Sequence, residues 1–95
     1  MHSRFKDKVV IITGAGSGIG AAAARRFHAE GAFVVLNGRR EFKLTEVGAT
    51  LGSDRCMIRP GDVSIAADVD GLVADVVRQT GRIDVLVNNA GTGII

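Results

Sequence analysis

The sequence is short of several residue types, and each shortage closes off a class of protein. Its single cysteine, Cys56, permits no intramolecular disulfide and no cysteine-built zinc site. Set in the apolar run Cys56-Met57-Ile58, it reads as a core residue, and a reducing, cytoplasmic setting fits it. No metal site is expected. One proline against 13 glycines excludes a Pro-rich linker and suggests close backbone approaches. No apolar stretch approaches the ~18 residues of a membrane span. The start, MHSRFKDK, is charged and polar without an apolar signal core, so secretion is not indicated. Net charge is only +2, with positives scattered apart from Arg25-Arg26 and Arg39-Arg40. A nucleic-acid partner calls for a basic stripe, and none is predicted.

What is there fits a small globular unit. The chain has 95 residues and 46% hydrophobic content, which argues against disorder. Short apolar runs alternate with helical patterns. Lys8–Thr13 (KVVIIT) reads as a strand buried on both faces. Ile19–Glu30 reads as an alanine-rich helix, with Ile19, Ala23 and Phe27 as its buried stripe and Gly31 at its C-terminal cap. Ala32–Asn37 is a second strand. Glu41–Leu51 is a weaker helix that Gly48 loosens. Arg55–Arg59 is a third strand, broken by Pro60-Gly61. A helix capped by Ser64 runs to about Thr80, with Val69, Leu72, Val73, Val76 and Val77 as its apolar stripe and Gly81 as its stop. Ile83–Asn88 is the fourth strand.

The order βαβαβαβ predicts an α/β fold with a parallel sheet and right-handed crossovers. The expected strand order is 3-2-1-4, half of a Rossmann-like doubly wound sheet. The first two helices share one face and the third covers the other. The fourth strand is left at an edge, so residues 1–95 look like the first half of one domain.

The glycine-rich turn Thr13-Gly14-Ala15-Gly16-Ser17-Gly18-Ile19-Gly20 follows a buried strand and opens a helix. In that place glycines let a pyrophosphate reach the first N–H groups of the helix, where the dipole favours an anion. A P-loop is excluded, because Gly20 is followed by four alanines and not by lysine. A methyltransferase-like site would place an acid after the second strand. That position holds Asn37-Gly38-Arg39-Arg40. An acid there would also bind the ribose hydroxyls of NAD and repel a 2′-phosphate. Arginine instead suits phosphate, which points to NADP, with NAD as the alternative. Arg39 is expected on the phosphate or stacked over the adenine, with Arg40 exposed.

Four stretches then coincide: TGAGSGIG, GRR, GDV and NNAG, one after each strand. Together, over residues 6–95, they resemble the N-terminal half of the short-chain dehydrogenase/reductase family. The resemblance implies roles. Gly14, Gly16, Gly18 and Gly20 surround the pyrophosphate, and Ser17 bonds a phosphate from a position often basic in NADP-binding relatives. Ile19 packs toward the nicotinamide. Asp62 accepts from the adenine amino group, with Val63 flanking the ring. Asn88 and Asn89 brace the sheet and border the ribose, and Ala90-Gly91 let the cofactor lie close. The resemblance further implies an oxidoreductase that interconverts a small carbonyl and alcohol by hydride transfer, and a homo-oligomeric parent, dimer or tetramer.

The family's acid–base group is a tyrosine whose pKa is lowered by a lysine four residues later. An unassisted phenol near pKa 10 serves poorly at neutrality. This chain has no tyrosine, and its lysines are Lys6, Lys8 and Lys43, none expected on a helix near the site. No catalytic residue is therefore assigned, and the chain alone is expected to be inactive. A second hypothesis is a non-catalytic nucleotide-binding module completed by a partner chain.

Overall fold

Val9, Val10, Ile11 and Ile12 are buried along their whole length, as a central parallel strand requires. The computed structural model of the chain describes residues 4–52 and 54–89. Seven elements follow in order: β1 Val9–Ile12, α1 Gly18–Ala29, β2 Phe33–Gly38, α2 Glu41–Leu51, β3 Cys56–Pro60, α3 Ala66–Thr80 and β4 Val85–Val87. The sheet is wholly parallel, in the order β3-β2-β1-β4. Its registers place Val10 beside Val34 and Val85, and Ile12 beside Leu36 and Val87. The expected α/β class and strand order are both met.

Side-chain alternation splits the core into two layers. Val10, Ile12, Val34 and Leu36 face α1 and α2, where Ala21, Ala24, Leu44 and Val47 meet them. Val9, Ile11 and Val35 face α3, where only Leu72 and Val76 are buried against them. One face thus has two helices and the other has one.

Several local expectations need correction. The buried residues of α1 are Gly20, Ala21, Ala24 and His28, whereas Ile19 is 77% exposed. The helical period holds but its phase is one residue later, because the small residues of the alanine run are the ones that let the helix approach the sheet. Ala23 and Phe27 pack only at the edge of that core, Phe27 edge-on to Phe5 with ring centroids 4.9 Å apart. In α3 the outer part of the expected stripe, Val73 and Val77, is exposed. Gly48 has a packing role not expected from the sequence: it is buried, and a side chain there would press on Ile58 at 3.2 Å. Ser64 does not cap α3, since Ile65 holds the cap position without a side-chain bond. Gly31 and Gly81 do end their helices. Both have positive φ, and their N–H groups donate back to His28 and Val77.

Candidate functional site

The carboxyl ends of the four strands are joined to one another by backbone bonds. The Ala15 N–H donates to the Asn37 carbonyl, the Gly61 N–H to the Gly38 carbonyl and the Thr13 N–H to the Val87 carbonyl, at 2.9, 2.9 and 3.0 Å. These bonds hold the four post-strand loops around one cavity of about 590 Å³. Gly14, Gly16 and Ser17 line it from the first loop, and Asn37 to Arg40 from the second. Gly61 to Ser64 line it from the third, and Asn88 from the fourth. In open α/β sheets, ligands bind outside the carboxyl ends of the strands, where the connections change side. Here that change falls between β1 and β4.

The glycine turn is shaped by contact as well as by backbone angle. Gly14 and Gly18 have φ of 63° and 59°, a region costly for residues with a Cβ. Gly20 is different. A Cβ on it would lie 2.1 Å from the Gly14 carbonyl oxygen and 2.9 Å from Asn89 Nδ2. Only glycine lets α1 begin so close to the strand it follows. Asn89 secures the same spot from the other side: its Nδ2 donates to the Gly14 carbonyl at 3.2 Å, and its backbone N–H donates to Thr13 Oγ1 at 2.8 Å. The Thr13 hydroxyl lies 3.3 Å from Asn88 Oδ1. The two asparagines therefore bind the β4 end to the glycine turn.

At the end of β2 the side chains divide by task. Asn37 is buried and its Nδ2 donates to the Arg59 carbonyl at 3.0 Å, so its amide serves the sheet. Gly38 has no side chain to offer. Arg39 and Arg40 are the charged groups that this loop brings to the cavity, and no acid stands in it before them. Asp62 stands across from them. Its Oδ1 accepts from the Ser64 hydroxyl at 2.7 Å and the Ser64 N–H at 2.9 Å. Those bonds, with a smaller contribution from the Arg39 charge, hold its carboxyl below the usual range, so it stays ionised and able to accept further bonds. Its own N–H donates to Asp68 Oδ2 at 2.8 Å, which ties the loop to the first turn of α3.

The structure brings Gly14, Gly16, Ser17, Arg39, Asp62 and Val63 to the cavity wall. Gly18, Ile19, Gly20 and Asn89 are not on that wall: the first three open α1, with Ile19 exposed, and Asn89 follows β4 and bonds to the Gly14 carbonyl. Ala90 and Gly91 lie outside the described residues. Lys43, on the helix expected over Glu41–Leu51 but given no role in the site, is in the first turn of α2 and lines the cavity. Its signal was available: side chains of a first helical turn tilt back toward the preceding loop, and Lys43 stands three residues after Arg40. Ser64, expected as a helix cap, instead orders Asp62. Among the described residues, no group of His, Cys, Asp or Glu is placed to hold a metal, and no helix is long and apolar enough to cross a membrane.

Comparison with known proteins adds a family and a length. The family model described as short chain dehydrogenase matches residues 8–95. A meso-2,3-butanediol dehydrogenase of Serratia marcescens is 50% identical over 91 residues, covering 96% of this chain and 36% of that protein. A short chain dehydrogenase of Mycobacterium smegmatis superposes with a TM-score of 0.87 at 44% identity, over 95% of this chain and 39% of that one. A 3-ketoacyl-(acyl-carrier-protein) reductase of Brucella melitensis, solved in complex with NADH, superposes with a TM-score of 0.81 at 38% identity, over 85% of this chain and 33% of that one. The chain spans somewhat over a third of the length of the curated relative and a similar share of these structures.

Proposed function

The chain belongs to the short-chain dehydrogenase family, and from that premise we propose that residues 1–95 are the dinucleotide-binding half of the catalytic domain of an oxidoreductase that interconverts a carbonyl and an alcohol, with NADP(H) as the preferred cofactor. The observation that carries the binding part is the cradle at the start of α1. Gly20 is pressed against the Gly14 carbonyl with no room for a side chain, and the turn opens onto the cavity. Such a turn leaves the helix N–H groups bare toward a pyrophosphate. Gly14, Gly16, Ser17 and Gly18 would hold that group, Asp62 would accept from the adenine amine, and Val63 would flank the ring. Ile19, Asn89, Ala90 and Gly91 would border the nicotinamide ribose side.

When bound, the nicotinamide supplies or takes the hydride. What this chain's residues do is grip and orient. With no tyrosine among its 95 residues, it holds no family-type proton donor. The isolated chain is expected to bind the cofactor without consuming it.

The preference for NADP rests on the end of β2. Asn37 is engaged with the Arg59 carbonyl, Gly38 is bare, and the groups that reach the cavity are cationic. The end of β2 itself, Asn37-Gly38-Arg39-Arg40, holds no acid to repel a 2′-phosphate. A fluorescence titration of the chain with NADPH and NADH tests both parts. We expect NADPH to bind more tightly, and Arg39→Gln to weaken NADPH by on the order of tenfold, as for loss of one charge-assisted contact, while leaving NADH unchanged. Equal or tighter binding of NADH would remove the NADP preference, and binding of neither would remove the whole reading.

A further inference from the structure

Most of the arginines are committed to carboxylates. Among the described residues, Arg4 and Arg26 pair with Glu30, Arg55 with Asp54, Arg59 and Arg78 with Asp75, and Arg82 with Asp84. Arg39, Arg40 and Lys43 are in no ion pair among those residues, and all three line the one cavity. On the cavity wall they face one carboxylate, Asp62, which is bonded to Ser64, and three cations to one carboxylate leave the local potential positive and attract an anion.

Lys43 is held differently from its neighbours. Arg39 and Arg40 are exposed on the turn after β2, whereas Lys43 is half-buried on α2. The reason is its stem. A Cβ on Gly16 would lie 2.9 Å from Lys43 Cβ, so the lysine lies directly across the second glycine of the turn. Gly16 thus lets α2 close onto the glycine loop, and the closure sets Lys43 on the cavity wall. Its ammonium stands 5.9 Å from the ring centre of exposed Phe42.

We propose that Lys43 is a second ligand, with Arg39, for the 2′-phosphate of NADP and a specificity-determining residue of this site. The inference rests on the dinucleotide reading above. The chemistry separates the two phosphate positions. A pyrophosphate is served by backbone N–H groups at the start of α1, and Arg39, Arg40 and Lys43 stand instead between the end of β2 and the first turn of α2, where the adenosine ribose must lie if Asp62 and Val63 hold the adenine. Arginine offers a planar fork and lysine a compact point charge, so together they neutralise a dianion without competing for the same oxygens.

The test titrates the wild-type chain, Lys43→Gln, Lys43→Arg and Arg39→Gln with NADPH, NADH and adenosine 2′,5′-bisphosphate. Thermal melts of each variant are compared first, and Lys43→Arg keeps the charge should Lys43→Gln fold poorly. We expect Lys43→Gln to weaken NADPH and the bisphosphate by on the order of tenfold, to leave NADH within about twofold, and to be largely rescued by Lys43→Arg. The salt dependence of NADPH binding should also fall in Lys43→Gln. If Lys43→Gln weakens NADPH and NADH alike, the lysine serves the pyrophosphate or the fold and the proposal is overturned. Unchanged NADPH binding overturns it equally, with the dinucleotide reading intact. A wild-type chain that binds neither dinucleotide overturns both.

Discussion

Gly20 shows what one missing side chain does. Glycines in this turn were legible in the sequence as a phosphate-binding pattern, but nothing in the spacing distinguished their duties. Gly18 is needed for its backbone angle, and a Cβ on it would meet nothing within 4 Å. Gly20 is needed for space, since its Cβ would overlap the Gly14 carbonyl. Gly20→Ala therefore has to push α1 away from β1 and break the Asn89–Gly14 bond. Overpacking of this kind costs roughly 1–3 kcal/mol. We expect a urea midpoint lowered accordingly, together with loss of NADPH binding in the fluorescence titration. Wild-type binding at full stability would show that the turn yields more readily than its contacts indicate. Lys43 is the opposite case at this scale. Its identity was plain, but its place on the cavity wall depends on α2 closing over Gly16, a contact between residues far apart in sequence.

At the scale of the element, α1 is anchored at its end by a carboxylate. Glu30 is 4% exposed and follows the last residue of the helix. Arg4 Nε and Arg26 Nε donate to it at 2.8 and 2.6 Å, and its backbone carbonyl accepts from the Phe5 N–H at 2.9 Å. It joins the segment before β1 to the α1 terminus. The arginine hydrogen bonds, that from Arg4 first, pull its carboxyl from 4.5 down to about 2. A carboxyl with a depressed folded-state pKa stabilises the fold fully above its unfolded value. That stabilisation is lost as pH falls through the folded one. Glu30 should therefore support the fold above about pH 4.5 and cease to do so toward pH 2. Thermal melts from neutral to acid pH should show the melting temperature falling in that window. In Glu30→Gln the fall should be shallower and the neutral-pH melting temperature lower, with Asp75 and Asp84, also depressed by arginine, supplying what acid dependence remains. An unchanged pH profile in the variant would remove Glu30 from this role. No periodicity or motif announces this cluster. Arg4 and Glu30 meet only because the chain before β1 passes the end of α1.

At the scale of the whole molecule, the two faces of the sheet are unequally covered. The α1–α2 side has a broad core, whereas the opposite side rests on Leu72 and Val76 of α3. A domain of this size is stable by only about 5–14 kcal/mol at typical per-residue values. Truncating a buried leucine to alanine costs about 2–5 kcal/mol. Leu72→Ala should therefore remove a large part of the total, and more than the same change at half-buried Leu51, as measured by urea denaturation followed by circular dichroism. Equal losses at the two leucines would mean that α3 adds little to the fold. The α3 surface also carries exposed Val73 and Val77, and Leu86 on β4 is 59% exposed. The sequence placed Val73 and Val77 in the apolar stripe of this helix, and the fold leaves both exposed.

What the sequence determined by itself was whatever depends on neighbours along the chain. The four apolar runs, the intervening helical periods and the terminating glycines specify strands and helices, and alternation of the two specifies a parallel sheet in the order 3-2-1-4. The loops that meet at the site were legible for the same reason, since each directly follows a strand. Tertiary structure decided what depends on approach between distant segments. It set the phase of α1, where small residues rather than Ile19 face the sheet, because helix-to-sheet distance selects the side chains that fit. It engaged Ser64 with Asp62 in place of the helix N–H groups, because the loop turns its carboxylate toward that hydroxyl. And it carried Lys43 across Gly16 into the cavity, because only the packing of α2 on the glycine turn brings those two positions within van der Waals reach.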